Sequence, residues 1–238
     1  MALAIVQVAK NVKGTTGTTL TLTINAPTTG NTLVVIAGNN GSVRINSIDA
    51  GTTWSRCTGI SSGACDAHIW QNVSGSPTSV VLNLSTTGGY GACIVEISGA
   101  ATTGELVLAA AQNATQGATT TPVTASITPA ASENAVILGG FGRQSGTTSA
   151  GPTDGYTGIG SYDYAFTGGY LLETATTGSA YTTSWITSSV GYSSIAVAIG
   201  DGGGASPDIE VTPSGVAMTA SLGVSGAIGE NRTIVLSS

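Results

Sequence analysis

Between residues 1 and 200 the chain repeats itself at a constant offset of 102 residues. Pro27 returns as Pro129, Val34, Val35 and Ile36 return as Val136, Ile137 and Leu138, Trp54 returns as Tyr156, and the Gly89-Tyr90 turn returns as Gly191-Tyr192. Turns and apolar runs that recur at one spacing describe two related halves, each offering a hydrophobic sheet face for the other to cover. The period within the runs is that of strands. Leu20, Leu22 and Ile24 fall on one side and Thr21 and Thr23 on the other, and Val80, Leu82 and Leu84 repeat the pattern.

Strands are expected near 3–10, 19–25, 32–38, 43–49, 53–57, 65–71, 79–85 and 91–98. Counterparts follow near 105–112, 123–128, 135–141, 155–160, 162–173, 181–187 and 193–199. Strands this short, separated by Gly, Pro, Asn and Ser, predict an all-β chain: a jelly-roll-like two-sheet β-sandwich built from two related halves, with a short C-terminal β arm. Residues 1–200 form the sandwich, residues 201–207 read as a linker from Asp201 to Pro207, and residues 208–238 form the arm. An arm of about 30 residues is too small for a core of its own, so it has to pack on the body, pair with another subunit, or order on assembly. Its apolar positions Ile209, Val211, Val216, Ile234 and Leu236 are the candidate assembly contacts.

Charge narrows the range of partners. Charged residues are only 8% of the chain, but hydrophobic residues reach 41% and cluster in runs, which favours folding over disorder. The six bases Lys10, Lys13, Arg44, Arg56, Arg143 and Arg232 are scattered through a chain of net charge -6. No stripe exists to neutralise successive phosphates, which argues against nucleic acid as a partner. No window approaches the roughly 18 apolar residues of a membrane span, and Met1 to Lys10 reads as a first strand rather than as a leader, so no membrane partner is expected.

Residues with chemical potential are few. His68 is the single histidine, and alternation puts Asp66, His68 and Trp70 on one face of a strand, expected to look outward. His68 and Trp70 are therefore candidate ligand contacts, set against ordinary surface or groove packing. The segment from Ser145 to Tyr170 gathers Tyr156, Tyr162 and Tyr164 among glycines, a stacking surface suited to a sugar or a partner protein. The competing reading places these rings on a strand face inside the second half. Cys57 and Cys65 flank a hairpin-like excursion and are candidates for a disulfide, with free thiols as the alternative, while Cys93 reads as a small core residue.

Glu96, between Val95 and Ile97, is placed to point to solvent from an otherwise apolar strand. No strand-to-helix nucleophile elbow, phosphate loop, EF-hand spacing or paired-carboxylate motif is present, so no catalytic residue, metal ligand set or cofactor is assigned. Asp49, Asp154, Asp163, Asp201 and Asp208 lie near turns and leave a structural calcium open.

The stretches Leu20 to Pro27, Gly30 to Ile36, Asp49 to Trp54 and Ile69 to Val73 resemble jelly-roll-like structural modules of tailed-phage virion proteins, also found in bacterial surface proteins. The tail from Val211 to Gly223 is similar to short β modules of phage head-decoration and fibre proteins. The resemblance implies a non-enzymatic virion protein, a capsid decoration or shell subunit, whose partners are further copies of itself or other virion proteins. The alternative it implies is a receptor-binding or carbohydrate-binding module that meets a cell-surface glycan.

Overall fold

The computed structural model describes residues 2–13, 17–39, 44–49, 54–57, 65–102, 106–143, 148–159 and 166–201. The arm, with Ile209, Val211, Val216, Ile234 and Leu236, lies outside the described residues, as do Tyr162, Tyr164 and Asp163. The chain divides between Ser206 and Pro207 into a compact unit, Met1–Ser206, and the remainder.

The fold is all-β. The first half contains β1 (Ala4–Lys13), β2 (Thr19–Thr23), β3 (Thr32–Gly38), β4 (Ile45–Asp49), β5 (Ser55–Arg56), β6 (Cys65–Trp70), β7 (Ser79–Leu84) and β8 (Tyr90–Ser98). They form a five-stranded sheet in the order β1-β8-β3-β6-β5 and a three-stranded sheet in the order β2-β7-β4, with antiparallel pairing throughout. First strand against eighth, second against seventh and third against sixth is the pairing of a jelly roll. The jelly roll is thus completed within one half. β5 departs from it by lying beside β6 and leaving β4 at the edge of the smaller sheet.

The second half contains β9 (Val107–Thr119), β10 (Ala135–Arg143), β11 (Thr148–Ala150), β12 (Thr157–Gly158), β13 (Phe166–Glu173), β14 (Ile186–Thr187) and β15 (Val190–Gly200). Its five-stranded sheet, β9-β15-β10-β13-β12, reproduces the order of the first sheet strand for strand. Even an irregularity is repeated: β1 bulges between Ile5 and Gln7 opposite Ile97 and Glu96, and β9 slips between Val107 and Ala109 opposite Ile199 and Ala198, each residue 102 positions on. Against β15, β10 is displaced by two residues from the sequence echo, so Leu138 rather than Val136 occupies the place of Val34. Two is an even step, and every side chain keeps its face.

The smaller sheet of the second half is only partly formed. Isolated bridges join Val123 to Ser184, Ile127 to Tyr181 and Ala131 to Thr177, and β11 pairs with β14. These contacts trace the places of β2, β7 and β4, with Thr-rich segments where the first half has alternating leucines and valines.

The two five-stranded sheets pack face to face. Val34, Ile36, Val95 and Ile97 meet Val136, Leu138, Phe166, Ile195 and Val197 in a shared central core. Each sheet also buries its other face: Leu33, Val35, Tyr90 and Ile94 against Leu22, Val80 and Leu82 in the first half, and Ala135, Ile137, Ala196 and Ala198 against Ala125 and Ile127 in the second. Burial on both faces explains why β3 and β10 are apolar or glycine along most of their length instead of alternating. It also explains the glycines of β10, because a Cβ on Gly142 would stand 2.4 Å from the backbone oxygen of Asn39.

One end of this body carries the connections β1 to β2, β3 to β4, β5 to β6 and β7 to β8, together with their counterparts in the second half. The two sets meet there: Gly142 lies against Asn39, Gly91 against Phe166, and the Cys65 thiol donates to the Ser193 carbonyl at 3.4 Å. At the opposite end Ala4 pairs with Ser98, and Gly200 bonds with Ala101 and Leu106, so β1 begins and β15 ends on the side away from those loops.

Candidate functional site

The polar group of greatest chemical interest lies on β6. Asp66 is 1% exposed and faces the smaller sheet of its own half. Its Oδ1 takes the Arg56 guanidinium at 2.5 Å, and its Oδ2 accepts from the Ile45 backbone N–H at 3.1 Å and the Tyr90 hydroxyl at 3.4 Å. One carboxylate thereby ties β5, β4 and β8 to β6. Burial and the negative charge of Asp66 together hold the Tyr90 hydroxyl well above its ordinary range.

His68 follows on the same face, half-buried, and its Nε2 makes no hydrogen bond. Burial lowers its pKa, with Asp66 pulling it up and Arg56 pushing it down. The folded state therefore holds a neutral imidazole, while the unfolded chain takes up a proton below about pH 6.5. The resulting stability is fully present above that value and is lost as pH falls through the folded pKa. The thermal midpoint of the native chain is expected to fall more between pH 7 and pH 5 than that of His68→Gln, and equal slopes in a pH series of melts would remove His68 from this role.

Several sequence expectations change here. The face of Asp66, His68 and Trp70 looks inward: Trp70 is 3% exposed and packs edge-on against Trp54 at 5.7 Å. β6 is an interior strand covered on both sides, so its polar face meets the smaller sheet instead of solvent. Tyr156 is buried for the matching reason, standing where Trp54 stands and packing among Ile137, Ala196 and Tyr181. Burial raises its hydroxyl pKa.

The disulfide is absent: Cys57 and Cys65 are free, buried thiols. The register is the cause, since Ser55 pairs with Ile69, Arg56 pairs with His68, and the Cys57 N–H bonds to the Ala67 carbonyl, leaving Cys65 two residues beyond the partner of Cys57. Both sulfurs lie in the central core, on the opposite side of β6 from His68. A cysteine and histidine pair cannot form across the sheet. Burial also pushes the thiols of Cys57 and Cys93 up to about 12 and that of Cys65 higher still, so all three are protonated at neutral pH.

Glu96 is the second carboxylate site, and sequence reasoning misplaced it. Instead of facing solvent it is 1% exposed, at the end of β8 away from Asp66. Its Oε1 accepts from the Thr28 N–H at 2.8 Å and Asn31 Nδ2 at 2.6 Å, and its Oε2 accepts from Gln7 Nε2 at 2.6 Å. Gln7 also reaches the backbone of Asn25 in both directions. Glu96 fastens the loop between β2 and β3 to the sheet beneath it. Glu96→Ala leaves three donors without their acceptor and is expected to cost about 3 kcal/mol in urea unfolding; a loss below about 1 kcal/mol would show that water replaces the carboxylate at no penalty.

In the second half, Thr167 occupies the place of Asp66, and the neighbourhood is aromatic. Phe141 packs on Trp185 at 5.2 Å and Tyr192 at 6.2 Å, while the buried Arg143 guanidinium lies 5.6 Å from the Phe141 ring and donates to Thr187 Oγ1 at 3.1 Å. The duplicated scaffold has kept Tyr90 and Tyr192 as counterparts and changed the groups around them. Of the turn aspartates, Asp49 accepts from Asn83, Asp154 from Thr153 and Asp201 from Asn134. Among the described residues no three His, Cys, Asp or Glu side chains gather as a metal site. Tyr162 and Tyr164 lie outside the described residues, but Ile159 and Phe166, which bracket them, are buried beside the loop-bearing end.

No family model, curated protein or solved structure matches the chain.

Proposed function

We propose that this chain is a non-enzymatic structural protein of a virion, a capsid decoration or shell subunit that assembles through its C-terminal arm. The observation that carries the proposal is the use to which the body puts its buried polar groups. Asp66 and Glu96 each accept from three donors and leave little capacity for a substrate, and the thiols sit protonated inside the central core. A body of two jelly rolls fastened in this way suits a load-bearing part. The similarity of Leu20 to Val73 and of Val211 to Gly223 to phage structural modules supplies the setting.

The arm follows β15 in the chain, and the proposal requires it for assembly. Truncation after Ser206 tests it. The truncated chain is expected to keep the far-ultraviolet spectrum of a β protein while losing self-association and particle attachment. Assembly equal to that of the full chain would refute a role for the arm.

One observation favours a second reading, a glycan-binding or receptor-binding module. Ile159 and Phe166, which flank Tyr162 and Tyr164 in the sequence, both lie at the loop-bearing end. Under this reading Tyr162→Ala with Tyr164→Ala abolishes glycan binding and leaves assembly intact. Tyr156 is excluded from such a surface by its burial.

A further inference from the structure

We infer that β1 is the surface that receives the C-terminal arm of a neighbouring copy, through addition of residues 208–212 as a strand along Gln7–Lys13. The inference rests on the proposed assembly role of the arm and names its docking site.

β1 is the edge of its sheet, with β8 as its one backbone-ladder partner among the described residues, while its Asn11 side chain donates to the Thr21 carbonyl of β2. A ten-residue edge is long, and proteins ordinarily shorten, cover or charge such edges because they invite another strand. The bulge between Ile5 and Gln7 interrupts its start, and regular pairing runs from Gln7 to Lys13. Two of the exposed side chains are large and apolar: Val6 is 48% and Val8 45% exposed.

The fold explains why these valines are left uncovered. Across the central interface β8 meets β13, β3 meets β10 and β6 meets β15, so β1 falls opposite β12, which has only two residues. In the second half the residue equivalent to Val8 is Ala110, a smaller side chain that packs against the central core. The scaffold thus tolerates a small, covered residue at this position, and β1 carries a larger exposed one.

Charge selects the occupant. The receiving stretch, Gln7 to Lys13, contains Lys10 and Lys13 and no acid. The first part of the arm, Asp208, Ile209, Glu210, Val211 and Thr212, contains two acids and no base, with its apolar residues at alternate positions. Laid along this stretch, a strand of this pattern turns its apolar residues to the face of Val8 and sets a net negative segment beside a net positive one. Pairing β1 with β1 of a second copy would instead oppose lysine-bearing strands.

The test uses full-length chains in light scattering. An edge variant, Val6→Lys with Val8→Lys, and an arm variant, Ile209→Lys with Val211→Lys, are each expected to remain monomeric where the native chain associates. Because the replaced valines are exposed, the edge variant should keep its thermal midpoint. Mixing the two variants joins the intact arm of one to the intact edge of the other and should give a dimer mass. An edge variant that associates like the native chain while the arm variant does not would move the receiving site elsewhere and leave the role of the arm standing. An associating arm variant with a monomeric edge variant would show pairing through β1 alone and overturn the role of the arm. A native chain that never associates would overturn both.

Discussion

Gly142→Ala is expected to destabilise the body by about 3 kcal/mol, the upper range for an overpacked core, and more than an ordinary interior substitution of one methyl group. The Cβ would meet backbone atoms of Asn39 at 2.4, 2.6 and 2.7 Å. A side chain in the way could rotate, but the Asn39 backbone continues directly from β3 and cannot yield without moving the first half away from the second. The loss should therefore appear in chemical unfolding as a lower midpoint, with the slope preserved if both halves still unfold together. Gly117→Ala on β9 is the control, since a Cβ there meets nothing within 4 Å; its effect should stay within about 0.5 kcal/mol. Equal effects at the two positions would mean that the halves are not in backbone contact.

Arg56→Met is expected to cost about 3 kcal/mol near neutral pH, because it leaves the Asp66 carboxylate buried without its cation. The reciprocal change, Asp66→Asn, should cost less. Arg56 has a side chain 35% exposed and can turn to water, whereas Asp66 is 1% exposed and cannot. In the double variant the penalty of Arg56→Met should shrink to about 1 kcal/mol or below, since no buried charge remains to be stranded. Equal costs for the two single changes, with simple additivity in the double variant, would show that the pair behaves as a surface ion pair.

The first half was readable because its smaller sheet has one wet face. β2 and β7 alternate strictly, and their ends fall within two residues of the expected ones. β3 and β10 were readable for a different reason, as compact apolar runs between turn residues. The second half resisted at β11, where Thr148, Ser149 and Ala150 show no apolar alternation, and around residues 123–128, which pair only through isolated bridges.

The candidate site was legible in its residues but not in its direction. Alternation correctly grouped Asp66, His68 and Trp70. It cannot say which side of a doubly covered strand meets solvent, because both sides are buried. Asp66 and Glu96 did leave a signal, each an acid inside an apolar run. Their meaning lies in partners distant in sequence, such as Ile45 and Tyr90 for Asp66 and Thr28 for Glu96, which local pattern does not reveal. The free thiols of Cys57 and Cys65 came from register: spacing along the chain suited a bridge, and pairing across the strands did not.

The most direct test of the proposed assembly role is the mass of the purified full-length chain by light scattering over a wide concentration range. A mass that rises to a defined multiple of 23.3 kDa is the predicted result. A mass fixed at that of one chain at every concentration would contradict self-assembly through the arm and leave the glycan-binding reading to be pursued.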